Sequence, residues 1–158
     1  MSTPLTAPWL VDRFVGALDR LAPPAVAYAH CDIPCGIYDP HMAQIAALTV
    51  VRMVQLIQGL QQPGGNVSKE EWDTYGMQIS RYTAIKEEHA RIAEHEVIIL
   101  WTDYFKPEHL QANPDLHEKF WTATKLAGDA KKSEDPTQGQ DLLNAVDEIA
   151  KIFWATKS

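Results

Sequence analysis

The sequence predicts an all-α protein, an up-and-down four-helix bundle preceded by an irregular N-terminal segment. Three observations carry this prediction. Apolar residues recur at three- and four-residue spacings through four long segments. Caps and prolines bound those segments. No segment alternates apolar and polar residues with the period of two that a half-buried strand requires. Four helices on short connections close most simply as a bundle.

The first 29 residues stand apart from the rest. Leu10, Phe14, Leu18 and Leu21 are spaced as one face of a helix, which Pro23-Pro24 stops. Ala27-Tyr28-Ala29 then imitates a signal-peptidase site. A secretory signal needs a basic start and an unbroken apolar run. Here no Lys or Arg precedes Arg13, and Asp12, Arg13, Asp19 and Arg20 break the run. Export by this segment is not expected, and a cytoplasmic location is the default. A removable leader of another kind stays open.

Asp39-Pro40 is a cap and first-turn pair, opening a helix that runs to about Leu60. Between Met42 and Ile57 only Gln44, Thr49, Arg52 and Gln55 interrupt its apolar character, so the helix predicts cover on more than one side and hence an oligomer. Pro63-Gly64-Gly65-Asn66 ends it. Ser68-Lys69-Glu70-Glu71 is a capping box that starts the second helix. That helix is expected to reach about Phe105 on a stripe of Tyr75, Ile79, Tyr82, Ile85, His89, Ile92 and Ile99, with a bend or break near Gly76 and closure at Pro107. A loop with Pro114 leads to the third helix, striped by Leu116, Phe120, Ala123 and Ala127. Asp135-Pro136 caps the fourth, with Leu142, Val146, Ile149 and Phe153 facing inward.

Composition narrows the function. A chain of 158 residues is the size of one domain with one core. Its formal charge of −7 argues against nucleic acid as a partner. No apolar run approaches the roughly 18–20 residues of a membrane span, so no membrane partner is expected. Two cysteines make neither a disulfide scaffold nor a four-thiolate zinc site. Glu-x-x-His pairs for a di-iron bundle are absent, as are HExxH, G-x-S-x-G and a phosphate-binding Walker loop. His41, His95, His109 and His117 read as ordinary surface or satisfied histidines, and Glu87-Glu88 as a solvated face.

What remains is His30-Cys31-Asp32-Ile33-Pro34-Cys35-Gly36-Ile37-Tyr38-Asp39-Pro40. Two thiolates four residues apart beside an imidazole can bend around one metal ion, and Pro34 and Gly36 suit a tight hook. On the residues alone, a half-buried thiol pair or a thiol–disulfide switch fits as well, and zinc would be the default metal, with three side-chain ligands leaving its shell open.

This segment resembles the metal hook of the nickel superoxide dismutase family. Leu100-Trp101-Thr102-Asp103-Tyr104-Phe105-Lys106-Pro107 and Lys151-Ile152-Phe153-Trp154-Ala155-Thr156-Lys157 are similar to that family's later signatures, in the same order. The resemblance covers residues 30–158 and implies two parts: a leader, 1–29, removed on maturation, and a superoxide dismutase domain, 30–158, made of the hook (30–38) and a helical bundle (39–158). It implies a maturation protease cutting between Ala29 and His30. The free amine of His30, the amide nitrogen of Cys31 and the thiolates of Cys31 and Cys35 would then form a square plane suited to one nickel ion per subunit, with the His30 ring as axial ligand in the oxidised state. The implied reaction oxidises one superoxide to oxygen and reduces a second to hydrogen peroxide.

The resemblance further implies that Tyr38 stands over the open face of the metal, that Asp32 and Tyr104 position it, and that the Ile33-Pro34 bond is cis. It implies a homohexamer. Where some members steady the axial imidazole with Glu and Arg, this chain has Ala46 and His89. His89 is therefore a candidate partner for His30, against a plain buried histidine bonded to a backbone carbonyl. Arg91 and Lys106 are the candidate cations for steering an anionic substrate. The alternative function is a non-catalytic metal-binding or redox-sensing helical module built on Cys31 and Cys35.

Overall fold

A computed structural model describes residues 8–21 and 36–157 of the chain. The chain divides into two compact units, Met1–Cys35 and Gly36–Ser158. The described part of the first is a single helix, α1 (Pro8–Leu21), whose Val11, Phe14, Val15 and Leu18 are exposed. It carries the predicted helical spacing.

The second unit contains α2 (His41–Gln58), α3 (Lys69–Ile99), a π-helical turn (Leu100–Tyr104), α4 (Pro107–Ala112), α5 (Leu116–Lys132) and α6 (Pro136–Ala155). α2 packs against α3 and α6, and α5 packs against the same two. Long helices adjacent in sequence are thus adjacent in space and the last closes on the first, which is the predicted four-helix bundle. No strand occurs among the described residues, and none of their helices is long and apolar enough to cross a membrane.

The caps follow the sequence closely. Asp39 Oδ1 accepts the His41 backbone N–H at 2.8 Å, and the Pro40 carbonyl accepts from Gln44 N at 3.1 Å, so α2 begins on the expected pair. Ser68 and Glu71 form the reciprocal capping box of α3, and the Asp135 side chain accepts the Thr137 N–H at 2.9 Å to start α6. The predicted stripes of α5 and α6 are fully buried in one core with Val50, Val97 and Leu100.

α3 departs from its predicted reading in three ways. It runs unbroken through Gly76, because a cost of about 1 kcal/mol for one glycine cannot interrupt a 31-residue helix supported by packing. Its fully buried positions are Lys86, Ala90, Ala93 and Val97, while the predicted stripe lies half-buried beside them. The large side chains flank a seam lined by alanines, whose small size lets the neighbouring helices approach. At its end, the Phe105 N–H reaches back five residues to the Leu100 carbonyl at 3.1 Å, the signature of a π-turn. Pro107 then starts the short α4 instead of ending a long helix, since proline is well placed in a first turn.

Lys86 is the one buried charged residue of the described core, 2 % exposed. Its ammonium donates to the carbonyls of Ala130 (3.2 Å), Lys131 (3.0 Å) and Ser133 (2.6 Å). These lie at the C-terminal end of α5, where carbonyls lack helical partners and the helix dipole is negative. Burial lowers the pKa of the ammonium, opposed by Glu87 and Glu134, which raise it. Lys86→Met fills the space but leaves the carbonyls without a donor. We expect a loss of about 3 kcal/mol in urea unfolding of the metal-free chain, and a loss below about 1 kcal/mol would contradict the capping role.

Candidate metal centre

His30, Cys31, Asp32, Pro34 and Cys35, with the Ile33-Pro34 bond, lie outside the described residues. After α1 the described residues resume at Gly36, whose φ of +91° lies in the left-handed region that a side-chain-bearing residue rarely adopts. The backbone at this position of the hook therefore requires glycine. Ile37 is exposed, Tyr38 half-buried and Pro40 fully buried.

Asp39 fastens this exit to the bundle. Besides the backbone of His41, its Oδ1 meets the His41 ring Nδ1 at 2.6 Å. Partial burial raises the Asp39 pKa, but the hydrogen bonds and charge of His41 outweigh it, and the carboxyl is held below its ordinary 3.8. A carboxyl depressed in this way stabilises the fold above its ordinary value, and the contribution is lost as pH falls through the folded one. The anchor therefore holds at neutral pH.

Tyr38 rests on Tyr104, with ring centroids 5.7 Å apart. Tyr104 is fixed from several sides. Its ring lies 4.4 Å from Phe153, 5.1 Å from Phe105 and 5.7 Å from the nearly parallel His109 ring. Its hydroxyl meets Thr156 Oγ1 at 2.5 Å, while Thr156 Oγ1 donates to the Phe153 carbonyl at 2.6 Å. With the threonine proton committed to that carbonyl, the tyrosine hydroxyl is the donor to Thr156. Lys157 Nζ stands over the Tyr104 and Phe153 rings, at 4.9 and 5.3 Å. The two segments singled out in the sequence, 100–107 and 151–157, thus converge beneath Tyr38.

Tyr38 and Tyr104 are the sequence-predicted site residues that the described structure brings together. His89 is half-buried on α3, and its Nδ1 lies 2.9 Å from the Ile85 carbonyl one turn back. That contact requires a proton on Nδ1 and leaves Nε2 for another partner. Ala46 is buried on α2. Among the described residues no group of three His, Cys, Asp or Glu could hold a metal ion. Thr156, Phe153 and Lys157 escaped sequence reasoning as site residues, although all three sit inside a segment it had marked. Nothing in a helical pattern reveals which ring a lysine will cover.

Residues 25–157 match the family of nickel-containing superoxide dismutases. A nickel superoxide dismutase of Streptomyces coelicolor is 40% identical over 141 residues, 89% of this chain and 98% of that one. Its counterpart from Streptomyces seoulensis is 43% identical over the same shares. The native crystal structure of a nickel superoxide dismutase superposes with a TM-score of 0.69 at 40% identity, covering 82% of this chain and all of the other. Nickel superoxide dismutase variants that lack a histidine, an aspartate two positions after it, or the hydroxyl of a tyrosine six positions further on superpose with TM-scores of 0.66–0.69 at 37–38% identity. With bundle, hook sequence and both downstream segments in agreement, the chain belongs to the nickel-containing superoxide dismutase family.

Proposed function

We propose that this nickel superoxide dismutase assembles its metal centre on the hook 30–38 after residues 1–29 are cut away between Ala29 and His30, leaving residues 30–158 as the working domain. The carrying observation is the hook sequence ending on Tyr38, which is seated on the rigid Tyr104 cluster. The relatives support the reading. His30, Asp32 and Tyr38 repeat the residue types and spacing of the three substituted positions in the solved variants. Removing 29 of 158 residues leaves 129, which is 82% of the chain, the share that the native relative matches over its whole length. The relatives do not favour a non-catalytic metal-binding or redox-sensing module.

The donor chemistry fits nickel. Thiolates of Cys31 and Cys35, the His30 amine and the Cys31 amide nitrogen suit a square plane, and strong anionic donors bring the +2/+3 couple within reach of superoxide. Nickel, one ion per subunit, supplies the one-electron cycling that oxidises one superoxide and reduces the next. The chain's own residues do the rest. The Gly36 turn and the Asp39–His41 contacts fix the backbone on either side of Tyr38 at the start of α2. Tyr38, kept in place by Tyr104, limits access to small anions and orders the water that delivers protons to peroxide. Asp32 and Tyr104 position Tyr38, and Pro34 shapes the turn between the thiolates.

His89 is assigned as the partner of the His30 ring, since its Nδ1 proton is committed to Ile85 and its Nε2 can accept from another imidazole. His89→Gln in processed, nickel-loaded protein should lower activity about 10-fold, the usual scale for a group that steadies a metal ligand, and alter the nickel(III) spectrum. Unchanged activity and spectrum would leave it a plain structural histidine.

The assembly is assigned as a homohexamer in the cytoplasm, matured by a protease that frees His30. The outer face of α2 exposes Met42, Ile45 and Leu48, which supports burial against another copy. Metal specificity tests the reading as a whole. In the chain beginning at His30, nickel should restore superoxide consumption and zinc should not, because zinc has no accessible redox couple. Equal activity with zinc would overturn the assignment.

A further inference from the structure

The site faces an electrostatic problem, since superoxide is an anion and the chain carries a formal charge of −7. Attraction must therefore come from a local cation whose charge is not already spent. Several of the described cations are spent. Arg91 pairs with Glu88, Lys69 with Asp73, Lys131 with Glu94, and Lys119 with both Asp115 and Glu148. Lys86 is sealed against the end of α5, and Lys125 stands over Trp121. Lys106 is exposed, and no contact among the described residues fixes its ammonium.

Lys157, like Lys125, lies over aromatic rings, but its rings belong to the cluster beneath Tyr38. Its Nζ is held over the Tyr104 and Phe153 rings at 4.9 and 5.3 Å, with no carboxylate of the described residues paired to it. Aromatic faces position an ammonium while leaving its charge largely exposed, a contact worth roughly 0.5–1 kcal/mol at the surface. The Tyr104 ring is in turn 5.7 Å from that of Tyr38. Laid end to end, these separations put the ammonium within about one Debye length, ~10 Å, of Tyr38 at 0.1 M salt. A charge at that range is felt by an approaching anion and screened by added salt.

We infer that Lys157 is the steering cation of this enzyme, a positioning residue that draws superoxide toward the Tyr38 end of the hook. The inference rests on the assignment of Tyr38 to the mouth of the nickel site. The neighbouring Tyr104–Thr156 hydrogen bond fixes the ring over which the Lys157 ammonium lies.

The test uses processed, nickel-loaded protein and measures kcat/KM for superoxide by pulse radiolysis across ionic strength. Lys157→Gln should lower kcat/KM about threefold at low salt and flatten its decline with salt, while nickel content and the nickel(III) spectrum stay as in the wild type. Lys157→Arg should restore both the rate and the salt dependence. A salt dependence unchanged in Lys157→Gln would overturn the inference, and so would loss of nickel in that variant, which would make the role structural. Failure of the underlying hook assignment reads differently: wild-type processed protein would neither bind nickel nor consume superoxide, and the inference would fall with it.

Discussion

With residues 1–29 attached, nickel-supplemented protein is expected to consume superoxide at least about 100-fold more slowly than the chain beginning at His30. The reason is the chemistry of one nitrogen. As a terminal amine, His30 N has a lone pair to donate, and with the Cys31 amide nitrogen and thiolate it closes two fused five-membered chelate rings. With Ala29 attached, the same lone pair is delocalised into a planar peptide bond and donates poorly. The effect should therefore depend on a single bond and not on the bulk of the leader. Protein trimmed to begin at Ala25 or at Ala29 should be as inactive as the full chain, assayed side by side at equal nickel. Full activity on removing α1 alone would show that the leader acts by obstruction, and the amine would lose its place among the ligands.

Cys31→Ser and Cys35→Ser should each abolish turnover in the processed protein, by about 1,000-fold or more. Serine is nearly isosteric, but its hydroxyl stays protonated at neutral pH and cannot match the electron donation of a thiolate. Absorption due to nickel–thiolate charge transfer should weaken in each single variant and vanish in the double one. The bundle should not notice, because the core that holds α2, α3, α5 and α6 together is supplied by residues from Ala43 onward. Thermal unfolding of the metal-free variants should stay within about 2 °C of the parent. Retained activity in either single variant would remove that sulfur from the ligand set.

The bundle was legible because α5 and α6 carry their core as large apolar residues at regular spacing: every member of both predicted stripes is buried. α3 was less legible for a physical reason. Its seam is made of Ala90 and Ala93, which carry little hydrophobic signal, while Tyr75 and Ile79 draw the eye to a flank that is only half-buried. The π-turn at Leu100–Tyr104 and the short α4 were hidden because Pro107 reads equally as a stop and as a first-turn residue. At the site, the contact between Tyr38 and Tyr104 joins two residues that the sequence had named together. Lys157 was not legible, since its importance lies in tertiary packing on rings contributed by Tyr104 and Phe153, some 50 residues apart.

Nickel X-ray absorption on the processed protein addresses the ligand set without relying on activity. If the His30 amine, the Cys31 amide and the two thiolates hold the metal, the reduced protein should show a shell of two sulfurs and two nitrogens, and the full chain with nickel added should not reproduce it. A shell of nitrogen and oxygen alone, or the same two-sulfur, two-nitrogen spectrum with residues 1–29 still attached, would contradict the account.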